Sequence, residues 1–142
     1  MILVDANIIL YAEDQTSSRH AAARQWWDTQ LSGSGPVCLA WAVINAFVRI
    51  STNHRIFSQP LDVAEAVERV HSWLKQPCVR VVVPTTNHWT TLKKLLVASQ
   101  ATGNLVADAH LAAIAIDHGC RLLSCDHDFS RFRGLNWKNP LP

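Results

Sequence analysis

Short apolar runs alternate along the chain with longer periodic stretches, and this alternation predicts strands separated by helices. Four runs are short enough to be buried strands, and a fifth, weaker run fits an edge strand. Because helices separate most of these strands, the sequence predicts a three-layer α/β/α fold with a mainly parallel sheet of four to five strands. The predicted strands are residues 1–4, 37–39, 79–83, 121–125 and 135–137.

Apolar side chains recur three and four residues apart between these runs, which is the period of an amphipathic helix. Asp62 and Glu65 have the spacing of a capping box. Asn104 and Thr86 are expected to cap their helices with their side chains, and Gly119 is expected to end the last helix. The predicted helices cover residues 8–12, 19–31, 40–51, 62–76 and 104–118, and one more begins at residue 86.

Length and composition indicate one folded domain, residues 1–142. With 142 residues, of which 49% are hydrophobic and 17% charged, the chain can bury a core and differs from disordered proteins. No apolar run approaches the roughly 18 residues of a membrane span. No secretion signal precedes the first strand, so the cytoplasm is the expected location.

Four aspartates are placed where they can meet. Asp5 follows the first predicted strand, and Asp126 and Asp128 follow the fourth. Asp108 lies on the apolar face of the predicted helix before that fourth strand. Because α/β proteins bind ligands beyond the carboxyl ends of their strands, we expect these carboxylates to point at one place. Asp5 also has the position of a helix N-cap, which is the simpler interpretation of that residue alone.

Carboxylates that converge without a nearby Lys or Arg repel one another, and a hard divalent cation is the usual compensation. The expected cofactor is Mg²⁺, with Mn²⁺ as a substitute. Such a cation stabilises charge on a phosphoryl group, so phosphodiester hydrolysis is the chemistry that fits. If four of the eleven acids share a cleft, the other seven face thirteen Lys and Arg. A basic body suits a polyanionic substrate, although an ordinary mixed surface fits the same count.

The four cysteines are Cys38, Cys78, Cys120 and Cys125, and no two have C-x-x-C spacing. Most lie in or beside apolar runs, so reduced and partly buried thiols are expected. The neighbouring histidines do not complete the tight knuckle and distant second pair that a closed zinc site needs. The sequence also lacks the glycine-rich phosphate-binding motifs of nucleotide-dependent enzymes.

Five segments resemble the PIN-domain family, and within it the toxin ribonucleases of the VapC type. They follow the family's order over essentially the whole chain. The resemblance implies a Mg²⁺-dependent endoribonuclease toxin that forms a homodimer and is neutralised by a cognate VapB-like antitoxin. The segments are LVDANIILYA, AFVRISTNHRIF, NLVADAHLAAIA, LLSCDHDFSRF and WKNPL.

The resemblance also implies roles for individual residues. Asp5, Asp108 and Asp126 match the first, third and fourth acids of the family and are the implied metal ligands. Asp128 follows as a further catalytic acid. Ser124 stands where the family tends to carry a hydroxyl and is an expected substrate contact.

The helix at residues 40–51 departs from the family's pattern because it contains no acid. Many PIN nucleases carry a glutamate here, a few residues before an arginine. Asn45, four residues before Arg49, is the expected occupant, with Ala46 as the alternative placement. An amide is expected to orient a catalytic water, but it adds no negative charge.

Basic and aromatic residues outside the acid group suggest two further surfaces. Arg49, His54 and Arg55 lie at or just after the end of the helix that bears Asn45, and we expect them to contact RNA phosphates. One of the adjacent Trp26 and Trp27 is expected to anchor a protein partner, whereas a wide buried face of the helix is the alternative.

Two other functions are compatible with the sequence. A metal-dependent phosphatase of the haloacid-dehalogenase kind also places acids at strand ends, but it needs D-x-D where this chain has Asp5-Ala6-Asn7. Its lysine would have to come from Lys93-Lys94, in the middle of a predicted helix. A PIN-like module that binds RNA or protein without cleavage is the second alternative, suggested by the missing glutamate.

Overall fold

Five short parallel strands form the single sheet of the computed structural model, which describes residues 1–142. Their spatial order is β3-β2-β1-β4-β5, and every neighbouring pair is parallel. The predicted α/β/α class is therefore confirmed, with the edge strand as the fifth member. The strands are β1 (Ile2–Val4), β2 (Val37–Ala40), β3 (Val79–Val82), β4 (Arg121–Leu123) and β5 (Trp137–Lys138).

Six α-helices connect the first four strands, and a 3₁₀ helix follows β4. None of the six combines the length and the hydrophobicity that a membrane crossing requires. The α-helices are α1 (Ala6–Glu13), α2 (His20–Ser32), α3 (Trp41–Ser51), α4 (Val63–Leu74), α5 (His88–Ser99) and α6 (Asn104–His118), and the 3₁₀ helix covers His127–Arg131.

The register aligns the carboxyl ends of the central strands. Leu3 of β1 lies opposite both Cys38 of β2 and Leu122 of β4. The chain builds the sheet outward from β1 through β2 to β3, then crosses to the other side of β1 for β4. The direction of growth therefore reverses between β1 and β4, and the crevice at such a point is the usual ligand site of an open α/β sheet.

An aromatic cluster joins three helices. Trp27 of α2 is fully buried and packs edge-on against Trp73 of α4, with ring centroids 5.7 Å apart. Trp73 also contacts Phe47 of α3 at 4.7 Å. Such pairs add about 0.5–1.5 kcal/mol each beyond the area that they bury. Since Trp27 is inside this cluster, it is excluded as a partner anchor, and the half-buried Trp26 remains the candidate.

Three of the predicted helix caps lie away from the acids, and the structure contains one of them. The capping box is confirmed, because Asp62 accepts from the Glu65 backbone N–H at 2.7 Å and the Glu65 carboxylate accepts from the Asp62 N–H at 3.2 Å. The predicted caps at Asn104 and Thr86 are wrong. Asn104 is already the first residue of α6, because the chain bends one residue earlier, at Gly103, whose φ of 58° suits glycine. α5 begins two residues after Thr86, without a side-chain cap.

Strand β4 is shorter than predicted, and its early end shapes the site. It stops at Leu123, where the sequence predicts that the strand continues to Cys125. The Ser124 carbonyl accepts from the Trp137 indole N–H at 3.0 Å. The Ser124 N–H still donates to the Lys138 carbonyl of β5 at 3.2 Å, so regular pairing ends at this residue and the chain turns toward the aspartates that follow.

Candidate active site

The ends of β1 and β4 bring Asp5 and Asp126 to the predicted crevice. Asp5 directly follows β1, and its backbone N–H donates to the Leu123 carbonyl of β4 at 2.9 Å. Its Oδ1 accepts from the Ala6 N–H at 2.8 Å, so the N-cap interpretation is also correct. Asp126 caps the 3₁₀ helix, with its Oδ1 accepting from the Asp128 N–H at 2.9 Å.

The fully buried Ser124 links these two acids. Its hydroxyl donates to Asp5 Oδ2 at 2.7 Å and accepts from the Asp126 N–H at 3.0 Å. The hydroxyl of Ser124, which is predicted to contact substrate, is therefore already hydrogen-bonded to other groups of the protein. Ser124 holds Asp5 and Asp126 in fixed relation, and its burial argues against direct contact with a large substrate.

Three carboxylates come close enough to share one cation. Asp108, Asp126 and Asp128 each offer an oxygen, and these oxygens lie within 4.8 Å of one another. The sequence-based ligand set named Asp5 in place of Asp128. Asp5 lies outside the tightest group, but its charge still acts on Asp108.

The shifted pKa values show that the site is short of positive charge. Burial, followed by the charges of Asp126, Asp5 and Asp128, raises the pKa of Asp108 to about 6. Burial also raises the pKa of Asp5, although hydrogen bonds from Ser124 and the Ala6 N–H oppose the shift. Charged acids in these positions are unfavourable without a counter-charge.

No basic side chain supplies that counter-charge. Of the four ion pairs in the protein, only the one between Arg131 and Asp128 involves the acid group, and its N–O distance is 3.9 Å. Both side chains of this pair are exposed, and such surface pairs contribute about 0–1 kcal/mol. An oxygen-only donor set with unbalanced charge fits a hard divalent cation such as Mg²⁺ or Mn²⁺.

The other predicted site residues do not contact the acids. Asn45 is exposed on α3, and its side chain makes no hydrogen bond within the protein. Arg49 is exposed in the last turn of α3, and His54 and Arg55 are exposed in the loop that follows. None of these three basic residues forms an ion pair. They are accessible to a ligand, and their roles stay predictions.

The family model of the PIN domain matches residues 2–135 of this chain. The chain belongs to the PIN-domain family. Ribonuclease VapC37 of Mycobacterium tuberculosis is 41% identical over 140 residues, which cover 99% of this chain and 97% of that protein. Ribonuclease VapC43 of the same organism is 35% identical over 141 residues, which cover 99% of this chain and 96% of that protein.

A solved structure shares the fold of this PIN domain. The crystal structure of VapBC2 from Rickettsia felis, bound to a DNA fragment from its promoter, aligns over 100% of both chains with a TM-score of 0.73. The identity is 14%, so this likeness concerns the fold alone.

One cleft of this PIN domain lies away from the acids. It has a volume of about 660 Å³, and none of the four predicted aspartates lines it. At its wall the Glu13 side chain, which is 8% exposed, accepts from Arg24 at 3.0 Å and from Arg69 at 2.9 Å. No sequence pattern predicts this arrangement, because the arginines lie 11 and 56 residues from the glutamate.

His110 and Asp117 form a polar stripe on α6, on the side opposite Asp108. This stripe faces α5. Asp117 accepts from the hydroxyls of Thr91 at 2.6 Å and Thr85 at 3.1 Å. His110 Nδ1 lies 2.9 Å from His88 Nε2, and burial lowers the pKa of His110, with His88 adding to the shift. These contacts attach α5 to the helix that carries Asp108.

The cysteine prediction is confirmed. Cys38, Cys78 and Cys120 are buried, Cys125 is half-buried, and all four are free thiols. No cysteine or histidine belongs to a group with metal-ligand geometry, so the zinc alternative has no structural support.

Proposed function

We propose that this PIN domain is a divalent-metal-dependent endoribonuclease of the VapC toxin type. The single observation that carries the proposal is the group formed by Asp108, Asp126 and Asp128, whose oxygens lie within 4.8 Å without a strong basic partner. The group lies beside the reversal point of the sheet, where a substrate has access. Full-length relatives named as VapC ribonucleases support the choice of RNA.

The three aspartates would hold Mg²⁺, or Mn²⁺ in its place, with Asp5 as a fourth negative charge beside them. The ion supplies stabilisation of the charge that develops on the transferred phosphoryl group. Asp5 is held by Ser124 and by the backbone N–H of Ala6, so its position does not depend on the substrate.

The basic residues in the last turn of α3 and in the loop after it supply affinity for the substrate in this proposal. Arg49, His54 and Arg55 are exposed and free of acidic partners, so they can bind the phosphates of RNA without first breaking an ion pair. Asn45 precedes them on α3 and is assigned the orientation of the attacking water. Contacts to phosphates carry no sequence information, so they give affinity without selecting a site.

A cognate VapB-like antitoxin is the proposed partner, and a homodimer is the proposed assembly. The solved VapBC structures with this fold support the first assignment. Trp26 is the proposed apolar anchor, because it is half-buried and borders a shallow depression beside the C-terminal Leu141. Inhibition by the product of an adjacent small reading frame would test the partner, and light scattering would test the dimer.

Cleavage of a labelled RNA by the purified protein tests the main proposal. We expect cleavage with Mg²⁺, no cleavage with chelator, and a loss of activity in Asp126→Asn. A phosphatase would instead hydrolyse a phosphomonoester and leave the RNA intact. Glu68→Gln removes an exposed acid on α4 and is the charge-matched control.

One observation favours a second candidate, a module that binds RNA without cleavage. Helix α3 carries no acid, and Asn45 makes no contact that would replace one. In that case wild-type protein retains RNA binding but cleaves at no Mg²⁺ concentration. Measuring both binding and cleavage on the same RNA separates the two candidates.

A further inference from the structure

Asn7 is a half-buried amide in the first turn of α1 that contacts the turn after β4. Its Oδ1 accepts from the Cys125 backbone N–H at 3.3 Å, and its Nδ2 donates to Ser124 Oγ at 3.1 Å. A backbone N–H can only donate, so the amide oxygen must face Cys125 and the amide nitrogen must face Ser124. The backbone therefore fixes the orientation of the amide.

This amide determines to which group the Ser124 hydroxyl donates its hydrogen bond. A hydroxyl has two acceptor lone pairs and one proton. Ser124 Oγ accepts from Asn7 Nδ2 and, at 3.0 Å, from the Asp126 N–H, which occupies both lone pairs. The single proton is left for Asp5 Oδ2, which lies 2.7 Å away.

The Asp5 carboxylate is consequently held at both oxygens. Oδ1 accepts from the Ala6 N–H at 2.8 Å, and Oδ2 accepts from Ser124. These two bonds fix the plane of the carboxylate. Each oxygen keeps a further lone pair, which a ligand of a cation needs.

We propose that Asn7 is a positioning residue of the metal site, acting through the Ser124 hydroxyl to hold Asp5 as the fixed anionic neighbour of Asp108 and Asp126. The inference rests on the proposed function, because it requires that the acid group binds a divalent cation. Residues that support a metal site from outside the ligand group commonly contribute about 10–100-fold to metal affinity. We expect Asn7→Ala to weaken Mn²⁺ binding about tenfold or more.

A double-mutant cycle separates this role from a general structural one. Calorimetry would measure Mn²⁺ affinity at one pH for wild type, Asn7→Ala, Ser124→Ala and the double variant. If Asn7 acts through the hydroxyl, its removal costs about tenfold in the wild type and less than about twofold in the Ser124→Ala background. An equal loss in both backgrounds would mean that Asn7 acts only through the Cys125 backbone, and the inference would be wrong.

Matched variants keep the result interpretable. Asn53→Ala removes another amide whose oxygen accepts from a backbone N–H, that of Arg55 at 2.9 Å, and should leave Mn²⁺ affinity unchanged. Ser124→Thr retains a hydroxyl, so in this background, unlike Ser124→Ala, Mn²⁺ affinity should again depend on Asn7. If Asn7→Ala does not fold by circular dichroism, Asn7→Ser carries the same expectation.

The controls also separate two kinds of failure. Wild-type protein that binds no Mn²⁺ contradicts the proposed function and this inference with it. Wild-type binding with unchanged affinity in Asn7→Ala contradicts the role of Asn7 alone. Because the readout is metal affinity, both results are obtained without an RNA substrate.

Discussion

Replacing Asp108 by Asn should stabilise the metal-free protein at pH 7 and weaken its affinity for a divalent cation. The pKa of Asp108 is raised to about 6 by burial and then by Asp126, Asp5 and Asp128. The folded protein therefore binds this proton more tightly than the unfolded chain does. Ionisation of Asp108 lowers the free energy of unfolding as pH rises from about 4 to about 6, because the native state then binds more protons than the unfolded state.

The same pKa sets the pH dependence of metal binding. A group with a pKa of about 6 is ionised to about one tenth at pH 5, one half at pH 6 and nine tenths at pH 7. Since a cation must displace the proton, the apparent Mg²⁺ affinity should be about twofold weaker at pH 6 and about tenfold weaker at pH 5 than at high pH. The raised pKa of Asp5 makes the fall steeper at the acidic end.

Asp108→Asn removes both the ionisable carboxyl group and one proposed ligand of the cation. We expect the metal-free variant to unfold at a higher temperature than wild type at pH 7, with little difference at pH 4, where wild-type Asp108 is already neutral. Its Mn²⁺ affinity should fall at least as far as the roughly 10–100-fold that outer ligand partners contribute.

Calorimetric titration with Mn²⁺ and thermal unfolding of the metal-free protein measure the two effects. Glu68→Gln is the control, because it removes one exposed negative charge on another helix. If Asp108→Asn bound Mn²⁺ as tightly as wild type, or lowered the unfolding temperature equally at both pH values, the reasoning would be refuted.

Substitutions at three further positions test the other predicted surfaces. Arg55→Ala should weaken RNA binding and lower the salt slope by about one phosphate contact, and equal slopes in filter binding would rule out the contact. Asn45→Glu should reach half-maximal cleavage at lower Mg²⁺ than wild type and Asn45→Ala at higher Mg²⁺, because an added acid attracts the cation. Cleavage indifferent to both changes would make Asn45 an ordinary helix residue. Trp26→Ala should raise the antitoxin concentration needed to block cleavage, and an unchanged inhibition curve would exclude Trp26 as an anchor.

The general position of the acids could be predicted because it depends on short-range patterns. The strand that precedes Asp5 and the strand before Asp126 are both recognisable as apolar runs, and parallel strands present their ends at one edge. The helical period places Asp108 on the apolar side of α6, and in the structure Asp108 is half-buried. Each of these inferences needs only neighbours within one or two turns.

The finer geometry could not be predicted, because it depends on contacts between distant residues. Asn7 and Ser124 are 117 positions apart, and a polar residue near a strand end gives no sign of such a partner. Glu13 likewise has the sequence context of an ordinary helix end, although two arginines from other helices bury it. The exclusion of Trp27 as an anchor depends on its packing against Trp73, which adjacent tryptophans in a helix cannot reveal.

The position of Asp128 bears on the missing acid of α3. Helix α3 carries no acid where the family resemblance predicts a glutamate, and the amide of Asn45 adds no charge. The 3₁₀ turn after β4 brings Asp128 within 4.8 Å of Asp108 and Asp126, because its N–H donates to the Asp126 carboxylate. We infer that the turn supplies the third carboxylate. On the proposed function, Asn45 orients a water and holds no cation.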